Sequence, residues 1–135
     1  MIEYVGGFLK CGGHITLIEK TKPDWQKGKF NAIGGKIEVG ETPAQAMVRE
    51  AYEEAGIICN EQQWHHRLVL KGNGYKIHFF MAFVNDLLPL QSGPEGKVDW
   101  FPIGGMPFTI IHNIIWILSM CLDLETPGPV NVEVP

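Results

Sequence analysis

Residues 35–57, GKIEVGETPAQAMVREAYEEAGI, concentrate the acids that could do chemistry. Glu50, Glu53 and Glu54 stand at helical spacing, Arg49 adjoins them and Glu41 precedes them. Like charges one helical turn apart repel and destabilise an isolated helix. A hard divalent cation removes that repulsion, because it takes several carboxylate oxygens and still leaves room for water and phosphate. Arg49 can brace a carboxylate through the paired donors of its guanidinium. Glu41 adds a further acid near the positive N-terminal end of the helix. A short run of Glu more often means a solvated helix face. Here the wider spacing decides. Gly35, Glu41, Arg49, Glu50, Glu53, Glu54 and Gly56 complete G-x5-E-x7-R-E-U-x-E-E-x-G-U, where U is bulky aliphatic. With each fixed residue at roughly 6 per cent, seven matches coincide by chance about once in 10⁸ registers.

The elements that must position these acids can be read from periodicity. Ala44, Met47, Val48, Ala51, Tyr52 and Ala55 recur at three- and four-residue steps, which predicts an amphipathic helix. Thr42 caps it, Pro43 suits its first position and Gly56 ends it. Residues 21–35 read as a loop leading to a glycine-rich turn at Gly34 and Gly35, with a short strand over Lys36–Glu38. Residues 2–9 and 14–19 read as strands around Cys-Gly-Gly, and 64–71 and 75–84 as a hairpin across Gly72-Asn73-Gly74. Residues 98–103 form another strand and 109–123 a second helix. The last dozen residues, 124–135, with Pro127, Pro129 and Pro135, read as an extended or frayed tail. Mixed strands with two distant helices indicate an α+β fold, an α/β/α sandwich.

Composition narrows the class. The chain has 135 residues, 45 per cent apolar and 19 per cent charged, as expected of one globular domain over 1–135. A formal net charge of -4 argues against a whole-surface grip on polymeric nucleic acid. The longest apolar stretch, Phe108 to Leu122, is broken by Thr109, His112, Asn113 and Ser119, so no membrane span is expected. MIEYVGG has no basic, signal-like start. Cys11, Cys59 and Cys121 form neither a disulfide framework nor a CxxC site; buried free thiols in a reducing cytoplasmic setting suit them best. The histidines lack zinc spacing, and there is no GxSxG or phosphate-binding GKS/T loop.

The 23-residue segment resembles the Nudix box, the signature of the Nudix hydrolases. The resemblance implies an α/β/α sandwich with a mixed sheet and the box as a loop–helix–loop at one edge. It also implies Mg²⁺-dependent hydrolysis, with Mn²⁺ as a substitute, of a nucleoside diphosphate linked to another group. Ala51 at the first U position is smaller than usual, which calls for a packing adjustment. By resemblance, Glu50, Glu53 and Glu54 are the metal carboxylates, joined by the backbone carbonyl of Gly34. Arg49 orients the acids and Glu41 supports the loop. Metal bridging phosphate oxygens neutralises charge developing at phosphorus and acidifies the attacking water. Glu53 or Glu50 is then the candidate base. Glu95 is a further candidate, in a loop position resembling an extra metal-binding Glu of MutT-type members; an exposed loop acid between Pro94 and Gly96 is the plain alternative.

The turn before the box, GKFNAIGGKIEVGE, is similar to that of purine triphosphate sanitising members, in which Asn reads the base edge. Asn31 therefore stands between base reader and turn-forming residue. Ile33 replaces the Pro of many bacterial relatives. Asn113, polar within an apolar helix, resembles the base-contacting residue of this branch, or else faces solvent. Lys36 is a candidate phosphate contact. Phe30 or Trp116 would wall the base or pack in the core. Tyr75, 18 residues after Ile57, matches a spacing of dinucleoside polyphosphate hydrolases, and equally suits a strand start. No Pro lies near 72–73, where ADP-ribose-directed relatives carry one. The reading is a nucleoside triphosphate pyrophosphohydrolase, with oxidised purines included among its small-molecule substrates, acting as a monomer or homodimer. Alternatives are a dinucleoside polyphosphate or ADP-ribose pyrophosphatase, and a non-catalytic nucleotide-binding module.

Overall fold

Strand β1 (Ile2–Cys11) alternates its side chains between two buried layers, and that alternation organises the molecule. Val5 and Leu9 point into a cluster with Met47, Ala51 and Ala55 of helix α1 (Pro43–Ala55). Phe8 points the other way, to Ile114, Ile117 and Leu118 of helix α2 (His112–Leu122). The two helices therefore cover opposite faces of one sheet, the expected α/β/α layering. The computed structural model describes residues 1–135 apart from the side chain of His112. Among the described residues, no helix is long and apolar enough to cross a membrane.

Along one edge, β1 runs parallel to β6 (Tyr75–Phe83), which turns back through Asn73-Gly74 to β5 (His65–Gly72) as the hairpin pattern predicts. Along its other edge, β1 meets two strands in succession. Tyr4–Gly7 pair antiparallel with β4 (Ile33–Lys36), and Lys10–Cys11 pair with β2 (His14–Lys20). β2 in turn pairs with β3 (Phe30–Asn31) and with β7 (Gly96–Pro102). The chain crosses from the partner of β2 to the partner of β1 at Ala32, so a cleft opens where β1 and β2 diverge.

Helix α1 has the expected termini. The Gln45 N–H donates to Thr42 Oγ1 (3.2 Å), the Thr42 N–H donates to Gln45 Oε1 (3.0 Å), and Gly56 ends the helix at φ 69°. Three expectations need correction. Gly34 and Gly35 lie in strand β4 rather than a turn, and the strand ends at Lys36 instead of starting there. A Cβ at Gly34 would collide with the Val5 carbonyl, so only glycine lets β4 approach β1 there. Residues 130–133 are not frayed: β8 (Val130–Glu133) pairs parallel with β5, and Val130, Val132 and Val134 pack on the α2-side core. The second helix starts later than its apolar pattern, because the backbone at 109–111 is bonded to Phe30: its N–H donates to Thr109 O (3.0 Å) and its carbonyl accepts from Ile111 (2.9 Å). All three cysteines are free, with Cys59 and Cys121 buried and Cys11 only half-buried.

Candidate active site

Helix α1 presents its acids at three depths. Glu54 belongs to the buried face, only 4 % exposed, beside Met47 and Ala51. Its Oε1 accepts the Gly34 N–H at 3.1 Å, which ties the helix to β4. Its Oε2 is buried without a partner. Burial, and then the neighbouring Glu50, push the Glu54 carboxyl up to about 8. Glu50 is half-buried, with its carboxylate against the bare backbone of Gly35, where a Cβ would strike it. Glu53 is the open member, its side chain 56 % exposed.

Arg49 holds this group together. Its Nε and Nη2 donate to the two oxygens of Glu41 at 2.7 and 2.9 Å, a bidentate pair. Nη2 also donates to the Lys36 carbonyl (3.0 Å), while Nη1 reaches Glu50 (2.9 Å) and Glu53 (3.2 Å). The guanidinium keeps the Glu41 carboxyl below the usual carboxylate range. Glu41 Oε1 also accepts the Glu38 N–H at 2.9 Å, so the loop before the helix is fixed by the same residue.

Glu50, Glu53 and Glu54 line a cavity of about 440 Å³, which Lys36, Lys20 and Glu95 also border. Among the described residues, no three metal-ligating side chains converge tightly enough to enclose an ion as they stand. The donor set nevertheless fits one: a buried carboxylate oxygen without a partner, a second carboxylate seated where a Cβ is missing, and a third open to solvent. An unpaired buried carboxylate oxygen is costly, and a proton or a hard cation satisfies it.

A second cavity, about 490 Å³, occupies the cleft between β1 and β2. It adjoins the first, and Lys20, Gly34 and Gly35 border both. Tyr4, Trp25, Ile77 and Phe79 supply apolar and aromatic walls. Asn31 lines this cleft, but its Oδ1 accepts the Ala32 N–H (2.8 Å) and its amide nitrogen donates to Gln26 (3.3 Å). Asn31 thus bonds its neighbouring backbone, but from strand β3 rather than from a turn, and it borders a nucleoside-sized space.

The remaining candidates fall elsewhere. Phe30 stacks edge-on against Phe101, centroids 5.1 Å apart, within the α2-side core and outside the cleft lining. Trp116 is partly exposed on α2. Asn113 is half-buried with Oδ1 lacking a partner, and it too is outside the cleft lining. Tyr75 packs over Gly72 at the hairpin. Glu95 pairs with Lys22 (3.2 Å) and Lys20 (3.8 Å). Tyr4, Lys20, Trp25, Gln26, Ile77 and Phe79 were not foreseeable from motif spacing. Trp25 alone carried a signal, an aromatic side chain in a polar loop, and it is 62 % exposed.

The NUDIX domain family model matches residues 5–112. A CTP pyrophosphohydrolase of Escherichia coli is 40% identical over 97% of this chain and 98% of its own length. An 8-oxo-dGTP diphosphatase of Haemophilus influenzae is 38% identical over 98% of this chain and 88% of its own. The crystal structure of a NUDIX hydrolase from Nitrosomonas europaea superposes with a TM-score of 0.81 at 20% identity, covering 98% of this chain and 78% of that one.

Proposed function

The chain belongs to the Nudix hydrolase family, and on that premise we propose that it splits a nucleoside triphosphate, oxidised purine forms included, into monophosphate and pyrophosphate. The observation that carries this reading is the shared wall of Lys20, Gly34 and Gly35, which puts an aromatic cleft for a nucleoside directly beside an acidic cavity for metal and phosphates. Nudix hydrolases generally use divalent metals; Mg²⁺ is proposed here, with Mn²⁺ as substitute. Glu50, Glu53, Glu54 and the Gly34 carbonyl would hold the ion, with Glu95 in reach of the same cavity. When bound, it supplies charge neutralisation at phosphorus and a more acidic water.

The protein groups divide the remaining tasks. Arg49, locked by Glu41, orients Glu50 and Glu53 by donating to both from Nη1. Glu53, the most exposed of the three, takes the proton from water, with Glu50 as the alternative base. Lys20 and Lys36 stand where phosphate oxygens would lie. Asn31 offers donor and acceptor to a base edge once Gln26 or Ala32 releases it. The substrate is a small-molecule nucleotide.

The names of the two relatives point to an oxidised purine and to a pyrimidine, so the base is the question to test. Product analysis with Mg²⁺ over ordinary and oxidised purine triphosphates, CTP, ADP-ribose and diadenosine polyphosphates settles it. Pyrophosphate released from purine triphosphates supports the proposal. Activity confined to ADP-ribose or diadenosine compounds keeps the metal site and overturns the proposed substrate. Binding without hydrolysis throughout favours a non-catalytic module.

A further inference from the structure

Glu95 borders the acidic cavity, yet its carboxylate is committed to lysines: one oxygen lies 3.2 Å from Lys22 Nζ and the other 3.8 Å from Lys20 Nζ. The backbone beneath it is stapled. The Thr21 hydroxyl lies 2.9 Å from the Pro94 carbonyl and 3.2 Å from that of Glu95, and the Thr21 N–H also donates to Glu95 O at 3.2 Å. Any rearrangement here therefore belongs to the Glu95 side chain, which is 41% exposed, and not to the loop.

Lys20 is not an ordinary surface lysine. Its side chain is 14% exposed, it borders both cavities, and at 3.8 Å its acidic partner is beyond hydrogen-bonding distance. Lys20 Nζ, whose charge also acts on Glu54, thus stands at the junction of the nucleoside cleft and the acidic cavity with Glu95 too far away to hydrogen-bond it. Any nucleotide spanning the two must carry a phosphate past it. Phosphate and the Glu95 carboxylate cannot both sit on the lysines without like-charge repulsion at close range.

We propose that Glu95 is an exchangeable counter-ion: it neutralises Lys20 and Lys22 while the site is empty, and the phosphates of a nucleotide displace it. This rests on the pyrophosphohydrolase reading, which is what places phosphates at the junction. The displaced carboxylate remains in the acidic cavity, where it becomes free to join Glu50, Glu53 and Glu54 around a cation. Phosphate binding and metal binding then favour each other, and the coupling is reciprocal.

The test is calorimetric binding of dGTP in EDTA, where turnover is absent. Glu95→Gln removes the competing carboxylate, so dGTP should bind about three- to fivefold more tightly, the scale of one exposed ion pair. Glu38→Gln removes an equal charge from the same cavity while Arg49 stays held by Glu41 and Glu50, and it should gain much less. Adding Lys20→Met and Lys22→Met should erase the Glu95→Gln gain. Mn²⁺ affinity, read by electron paramagnetic resonance, should fall in Glu95→Gln only when nucleotide is present, supplied as a non-hydrolysable imido analogue of dGTP so that no turnover occurs. No gain in EDTA, an equal gain in Glu38→Gln, or an equal loss of Mn²⁺ affinity without nucleotide overturns the exchange. If the wild type still hydrolyses dGTP with Mg²⁺, the proposed function survives that result. A wild type that neither binds nor hydrolyses any nucleoside triphosphate sinks both.

Discussion

At the scale of single residues, the three box acids are chemically unequal because the helix sets them at different depths. Glu53 is open to water and held only by Arg49 Nη1 at 3.2 Å, so its charge can be removed without disturbing the core. Glu53→Gln should lower turnover by roughly 10²–10⁴-fold, the usual contribution of a positioned base, while the unfolding midpoint stays near wild type. Steady-state kinetics beside urea unfolding check both halves; near-normal turnover would remove Glu53 from the proposed role. Gly35 is the second informative position. An added methyl would meet the Glu50 carboxylate, which must shift by a fraction of an ångström or more. Displacing a group at the reacting centre by about 1 Å can cost 10²-fold. Gly35→Ala should therefore weaken Mn²⁺ binding and turnover together, with little loss of stability, and a Mn²⁺ titration reads it directly.

At the scale of elements, legibility depends on whether a strand or helix declares itself by period. α1 does: its apolar steps, its Thr42 cap, Pro43 and Gly56 all agree, and the structure realises each. β4 does not, because Ile33-Gly34-Gly35-Lys36 offers no alternation and glycine is rare in strands. Its reason for being there is a close approach to β1 and a space for Glu50, neither of which is encoded in local spacing. The acids could be recognised from the box, whereas Lys20 and Trp25 reach the site only through the divergence of β1 and β2. β8 lies between these cases. Val130, Val132 and Val134 alternate with Asn131 and Glu133, but the surrounding prolines disguise the pattern as a tail. Ending the chain after Thr126 tests that reading. Three partly buried valines and four strand pairs would be lost, so stability should fall by about 2–3 kcal/mol in urea unfolding. A frayed tail would be removable without effect.

At the scale of the whole molecule, the sheet is tied across three strands by a polar chain far along the sequence from the box. His78 on β6 places one ring nitrogen 2.9 Å from Glu3 of β1 and the other 3.1 Å from His66 of β5, and His66 stacks on Phe80 at 4.7 Å. Burial, and then the nearby His78, push His66 down to about 4 from its ordinary 6.5. Between those values the unfolded chain binds a proton that the folded chain refuses, so stability is full above pH 6.5 and is lost as pH falls towards 4. Glu3 acts in the same sense, since its hydrogen bond to His78 holds its carboxyl below the usual range and acid must break that bond. His66→Phe keeps the stacking on Phe80 and removes the titrating ring. Urea unfolding at pH 7 and pH 4.5 should show the wild type losing more stability than this variant. Discounted for partial exposure, the difference should be on the order of 1–2 kcal/mol. Parallel pH dependences in the two proteins would mean that the sheet carries a protonated His66 without cost. The acid sensitivity would then have to come from groups other than His66.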